Sequence, residues 1–530
     1  MGGFPFGRRS ATLPLAMGEP PRTTVDPPQT LFGALRHLGP GIVLASSIVG
    51  SGELIATTST GAQAGFLLLW LIIIGCVIKV AAQVEIGRAT LAWGRTPLDA
   101  FDRVPGPRLG GRGWIYWGWV VMTLLVLVQQ GGILSGVAQT LAAGLPVTTA
   151  GRAWNRVYDE AASTRILAAT AQSRGETEKA AALFARMAVL DEEKKGLVAP
   201  IDEKIWAVVT GLVTAVLLAI GRYKLIEVVS ILLVGTFTLV TLLALFFLQF
   251  DPAWAISPAE LTSGLIPSIP PAVGKNSPLM TALATFGIIG VGASELMVYP
   301  YWCLEKGYGV AVGPRDDSEA WAKRARGWLK VMQLDAWASM VVYTAVTVAF
   351  YLLGAATLGR LGLKPEGGEM VRTLGAMYAP VFGPAIGPWA NGAFLIGAFA
   401  VLYSTLFVAA AGNARMVVDG LILAGRLPGD DASRTSWNRR LSTAWPLVAM
   451  VLALMIREPV AMVLASGAAQ AMMLAALGVA VLWFRWRALD PRLRPGRAWD
   501  ILLVTSSAGF IIIGLWTLWQ RIATLLAGST

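Results

Sequence analysis

Two glutamates lie inside long apolar runs, one in each half of the chain: Glu53 in Gly50-Ser51-Gly52-Glu53-Leu54 and Glu295 in Gly292-Ala293-Ser294-Glu295-Leu296. A charged side chain at mid-membrane costs roughly 2.5–3.5 kcal/mol on insertion scales, so its presence calls for a partner or a function. Small residues precede the carboxylate in both copies, which weakens helix propensity and favours a local break. Such a break is tolerated at membrane depth only where the freed N–H and C=O groups face protein or a wet cavity. Two carboxylates, with carbonyls freed at Gly50 and Ala293, would supply charge and oxygen ligands for one divalent cation. The alternative is structural, with each glutamate capping the free N–H groups of a half-helix and meeting its dipole. Ser51, Gly52, Thr57, Thr58 and Ser294 would then line a wet pathway or pack helices closely.

The elements that hold these residues follow from composition. The chain has 530 residues, 55% of them hydrophobic and 14% charged, with mean hydropathy +0.62, which describes an all-α polytopic membrane protein embedded in a lipid bilayer. Eleven spans are expected at about 40–63, 65–87, 114–145, 203–221, 224–250, 279–303, 329–357, 387–411, 441–457, 458–484 and 500–526, each near the ~20 residues a crossing needs. Paired Gly-interrupted spans in the two halves point to an inverted-repeat secondary transporter. The domain reading is a disordered basic tail (1–30), a first repeat (31–250), a second repeat (279–484) and an eleventh span (500–526), with a polar helical hairpin inserted at 150–200 and split at Gly175. Its apolar faces are expected through Ile166 and Leu167, and through Leu183, Phe184, Met187 and Leu190.

The net charge of +11 lies in short connections between spans, with no aromatic-interleaved patch, so it reads as positive-inside topology and not as nucleic-acid binding. Arg95 to Arg112, Arg222 and Lys224, Lys306 to Lys330, Arg426 to Arg440 and Arg485 to Arg497 alternate with poorly charged connections. That alternation puts the N-terminus in the cytoplasm and the C-terminus outside, extracellular or periplasmic, in a plasma (inner) membrane protein. Cys76 and Cys303 have no metal-thiolate or disulfide spacing and read as packing residues. His37, the only histidine, precedes the first span. No nucleophile–base pair or nucleotide-binding glycine loop accompanies these features, so an enzyme is not expected, nor is a cofactor or an obligate protein partner.

With the break motif in view, the chain resembles the Nramp family of divalent-metal transporters. The resemblance rests on Gly50-Ser51-Gly52-Glu53 followed by Gly61-Ala62-Gln63-Ala64-Gly65 and Leu68-Leu69-Trp70, and on Gly221 to Glu227, Asp335 and Ala390 to Gly420. It implies the LeuT fold, a 5+5 inverted repeat with an eleventh transmembrane helix. It also implies a metal site at Gly50, Glu53, the Ala293 carbonyl and Gln470, with Leu296 where the family has a methionine and Met297 beside it. By composition alone Gln470 would be an interhelical hydrogen bond. Tyr299 and Pro300 would set the turn and gate of the sixth span. The family's acidic relay in the third span falls on Gln130 and Ile133, and its Met-Pro-His on Leu296-Met297-Val298, which argues against proton coupling. An oxygen-only shell suits Mg²⁺, Ca²⁺ or Mn²⁺. Asp335 is read as a helix-end partner of Lys330.

These observations make a secondary transporter of a divalent, hard cation the leading reading. A transporter of an organic cation, amino acid or metal chelate is the first rival. A non-transporting sensor or scaffold that uses the hairpin is the second.

Overall fold

The computed structural model describes residues 24–220, 223–252, 254–271, 278–365, 370–376 and 379–527, with backbone only at 223–227, 229–231, 233–234, 376, 379–391, 393, 525 and 527. Most of the expected basic tail, and Gly221 and Arg222 of the fourth-to-fifth connection, lie outside the described residues. So do the side chains of Ala390 and Asn391.

Among the described residues, nine helices are long and apolar enough to cross a membrane. They correspond to the expected first to fourth, sixth to eighth, tenth and eleventh spans. The fifth is the helix Tyr223–Leu248, whose described apolar part is Gly235–Leu248. The ninth is Asp431–Met455, which falls short of the hydropathy of a span because Asp431, Arg434, Arg439 and Arg440 occupy its first half. The expected 441–457 is its apolar end.

The helices pack in a pattern that repeats between the two halves. The second span (Leu69–Trp93) packs on the seventh (Glu319–Leu353), the third (Trp114–Gly144) on the tenth (Pro459–Trp483), the fourth (Asp202–Ile220) on the ninth, and the fifth on the eighth (Ala379–Leu423). The third and fourth pack together as the eighth and ninth do. The first and seventh touch as the sixth and second do, and the eleventh span (Arg497–Ala527) lies against the tenth and second. That exchange of partners is the two-fold relation of a five-plus-five inverted repeat, and the architecture is of the LeuT type.

Close approach depends on glycine where backbones cross. A Cβ on Gly287 would fall on the Gly467 carbonyl, tying the sixth span to the tenth, and one on Gly61 would fall on the Tyr351 carbonyl of the seventh.

Both breaks are present. The first span runs as Pro40–Ile48, loses its helix at Val49 and Gly50, and resumes as a π-helical turn at Ser51–Thr57 before Thr58–Ala64. The sixth runs as Pro278–Ile288, turns at Gly290 with φ +55°, and resumes as Ala293–Glu305.

Asp335 corrects the sequence reading. Lys330 is exposed, whereas Asp335 is buried and accepts hydrogen bonds from the Gly39 and Gly41 N–H groups at 2.9 and 2.5 Å, and from the Tyr299 hydroxyl at 3.1 Å. It caps the first span from the seventh, because free N–H groups at a buried helix start attract a carboxylate more strongly than an exposed ammonium does.

The insertion forms the expected hairpin, Thr149–Ser173 and Thr177–Gly196, turning at Gly175 with φ +75°. Ile166 and Leu190 are buried, but Leu167 and Phe184 are 41% and 46% exposed. The interior face instead joins Val157, Ala161 and Leu190, since a residue next in sequence lies about 100° around the helix. Its base is fixed to the transmembrane body. Asp202 accepts from the Val147 and Thr148 N–H groups at 2.6 and 3.0 Å, and Asn155 donates to the Ala142 and Ala143 carbonyls that end the third span.

Outside the spans, Asp490 joins Arg315 and Arg492 at 3.0 and 3.1 Å. The Arg492 guanidinium holds its carboxyl below the usual carboxylate range, so this tie contributes above that range and is lost as pH falls through the lowered value.

Asp335→Ala is expected to lower the stability of the detergent-solubilised protein by about 1–3 kcal/mol, the loss suffered by buried donors deprived of their acceptor, whereas Lys330→Ala leaves it unchanged. Apparent melting temperatures of the two variants check this.

Candidate functional site

The two breaks meet at the centre of the bundle. A Cβ on Gly52 would lie 3.3 Å from the Ile288 carbonyl, so the broken first span rests directly on the end of the sixth span's first half.

Glu53 is completely buried, and both its oxygens are engaged. Oε2 accepts from the Gly50 N–H at 3.3 Å, and Oε1 lies 3.0 Å from the Thr347 hydroxyl of the seventh span. The capping function and the position at the break therefore coexist in one side chain. Glu295 occupies the third position of its half-helix and differs in two respects: the residue is only partly buried, and its buried Oε2 has no hydrogen-bond partner. Ser47 of the first span lies beside it, and Glu53 lies within electrostatic reach. A Cβ on Gly292 would touch both Glu295 Oε2 and Gln470 Oε1, so the absence of a side chain at Gly292 is what lets carboxylate and amide approach.

Gln470 is the hub of a buried polar chain. Its Oε1 accepts from the Ser294 N–H and its Nε2 donates to Gln129 Oε1, each at 3.1 Å. Gln129 in turn donates to the Ser51 hydroxyl at 3.1 Å, and the Ser294 hydroxyl donates to Asn413 Oδ1 at 3.1 Å. One chain of contacts thus joins the first, third, sixth, eighth and tenth spans.

The carbonyls freed by the breaks are not those the sequence suggested. The Gly50 carbonyl accepts from the Leu54 N–H at 2.8 Å, and Ala293 sits in the first turn of a helix, where carbonyls turn into intrahelical bonds. The freed groups lie just before each break. Ser404 and Thr405 of the eighth span reach the Ser46 carbonyl, each at 3.3 Å, and Thr405 reaches that of Val49 at 3.5 Å. The Phe286 and Ile289 carbonyls face Lys79 of the second span, whose ammonium donates to both, at 2.7 Å in the case of Ile289. Lys79 is completely buried, packs over the Phe286 ring at 4.7 Å and feels the charge of both glutamates.

Of the other expected positions, Ser51, Gly52 and Ser294 belong to this centre. Met297 is buried among core side chains. Tyr299 turns its hydroxyl to the Met332 carbonyl at 3.2 Å and to Asp335, as a tie between the sixth and seventh spans. The third-span contact is Gln129 and not Gln130, whose Oε1 is buried without a partner. Cys76 and Cys303 are buried and free. Sequence reasoning missed Thr347, Asn413, Gln129 and Lys79. Lys79 carried a signal, an ammonium inside an apolar run; the uncharged three did not. Among the described residues no group of three or more His, Cys, Asp or Glu side chains gathers as a metal cage.

Residues 195–520 match the Nramp family, described as natural resistance-associated macrophage protein-like. The chain belongs to the Nramp family. The match begins after the first-span motif, so it reaches the Glu295 half of the centre directly and the Glu53 half only through the fold. No curated protein matches the chain. Among solved structures, a mutant of the Eremococcus coleocola manganese transporter is 15% identical, with TM-score 0.62, over 96% of this chain and 91% of that one. The same transporter in complex with an aromatic bis-isothiourea substituted compound gives 15% and 0.57, over 97% and 92%. MhsT in complex with L-phenylalanine gives 14% and 0.53, over 94% and 99%. At these identities the likeness is one of fold, and it extends over nearly the whole Nramp chain.

Gln470→Leu is expected to cost about 1–3 kcal/mol, because the Ser294 N–H and the Gln129 amide lose their partner at a buried site. Thermal unfolding of this variant beside Ala469→Gly, which leaves the polar chain intact, checks this.

Proposed function

We propose that this Nramp-family protein is a secondary transporter that moves a divalent metal cation across the membrane. The observation that carries the reading is the unpartnered Oε2 of Glu295, buried beside Gln470 at the foot of the broken sixth span and within electrostatic reach of Glu53. A buried carboxylate oxygen without a donor stands at a steep cost in desolvation, which a cation would relieve. Family membership and the fold shared with a manganese transporter support metal as the cargo. Glu295 then supplies the open ligand, Gln470 an amide oxygen, and Glu53 a second charge that also holds the first-span break in shape. Alternating access follows from rocking one bundle about this centre.

Mg²⁺, Ca²⁺ or Mn²⁺ is the preferred class. Leu296 faces the core where a thioether would favour softer ions, and Met297 packs among apolar side chains. Transport is not proton-coupled in this reading: the third span offers glutamines, and His37 stands outside the centre, edge-on to Trp328 at 5.1 Å. In this reading the N-terminus lies in the cytoplasm, which the distribution of Arg and Lys supports.

One observation favours a second reading. Lys79 brings a positive charge to the same centre, which suits a cargo of lower net charge, such as an organic cation or an amino acid, better than it suits a bare divalent ion.

Calorimetric titration of Mg²⁺, Ca²⁺, Mn²⁺ and Fe²⁺, with uptake into proteoliposomes, tests the proposal. Glu295→Gln is expected to weaken binding by roughly tenfold or more, since charge count sets affinity for hard cations. Glu53→Gln, whose oxygens are already engaged, should weaken it less and lower the melting temperature. Uptake should leave the lumenal pH unchanged. Unaltered metal binding in Glu295→Gln removes the ligand, competition by organic cations without metal flux turns the reading to the second one, and binding without any flux turns it to a sensor.

A further inference from the structure

The sixth span stops being helical at Ile288, and the carbonyls freed there, on Phe286 and Ile289, belong to residues with no exposed surface. Both are taken by Lys79 Nζ. The third direction around the nitrogen is filled by the face of the Phe286 ring, 4.7 Å away. An ammonium has three donors and no lone pair, so two carbonyls and a ring face account for it completely. A neutral amine would turn its lone pair toward a carbonyl or toward the negative face of the ring, both repulsive. The arrangement is that of a cation in an oxygen-lined site, except that the cation is covalently attached to the second span.

We propose that Lys79 is a tethered cation of the transport centre. Its ammonium occupies a carbonyl site at the broken end of the sixth span and holds that break in shape, as a bound monovalent cation would. The groups around it fit this role. Glu53 and Glu295 lie within electrostatic reach but neither forms an ion pair with it among the described residues, and Cys76 is one turn away on the same helix. Lys79 therefore offsets part of the charge of the two carboxylates without blocking either. The second span also packs on the seventh, which reaches Glu53 through Thr347, so the helix that carries Lys79 is in contact with a partner of each break.

This role does not depend on which cargo the protein carries, and its test uses none. The full-length protein in detergent, free of divalent ions, is heated in choline chloride and in methylammonium chloride at equal ionic strength. Lys79→Ala, which leaves room for a methylammonium ion beside the Phe286 and Ile289 carbonyls, is expected to melt several degrees below wild type in choline and to recover most of the loss as methylammonium rises. Wild type should not respond. Lys79→Met, which keeps the length of the side chain but not the charge, should stay low in both salts. A wild-type melting temperature for Lys79→Met, or an equal response of wild type and Lys79→Ala to methylammonium, would overturn the proposal. So would a low Lys79→Ala that no concentration of methylammonium restores. Where Lys79→Ala gives no folded protein, Lys79→Met decides: wild-type stability overturns the role, and a loss of several degrees supports it.

Discussion

Backbone that leaves the helix inside a membrane must find its hydrogen-bond partners in the protein or in a wet cavity, and the rest of this structure is arranged around meeting that demand twice. At the first break the partners are the Ser404 and Thr405 hydroxyls for the Ser46 and Val49 carbonyls, and the Glu53 carboxylate for the Gly50 N–H. At the second they are the Lys79 ammonium for the Phe286 and Ile289 carbonyls, and the Gln470 amide for the Ser294 N–H. The partners come from different spans each time, so the breaks also fasten the bundle at its centre.

The two breaks are related by the fold but not by their chemistry. At the first, uncharged hydroxyls take the freed carbonyls and the acid is consumed in capping. At the second, an ammonium takes the carbonyls and one oxygen of the acid is left over. This asymmetry is what the proposed function rests on. Glu53 holds a conformation, and Glu295 has capacity to spare. Asp335 performs a third task of the same kind at the start of the first span, where it meets the Gly39 and Gly41 N–H groups.

The centre between the breaks is built from groups that hydrogen-bond to one another. Ser51, Gln129, Gln470, Ser294 and Asn413 form a continuous buried chain, and such a chain fixes the relative positions of five spans as well as lining a centre. A cation entering beside Glu295 would have to compete with the Ser294 N–H for Gln470.

From the sequence alone came the membrane class, the two breaks, the hairpin turning at Gly175 and the repeat architecture. Each rests on local chemistry: apolar runs long enough to cross lipid, small residues that weaken a helix, and a glycine that turns at positive φ. The choice of partner was not legible there. Asp335 reads naturally beside Lys330, yet it binds N–H groups nearly three hundred residues away. Glu53 and Glu295 look alike in their motifs, yet only one keeps an open oxygen. Lys79 has no motif at all until the sixth span folds back to place two carbonyls against it. Hydrogen bonds at membrane depth are satisfied across the bundle, and only the packed tertiary structure decides which distant donor meets which acceptor.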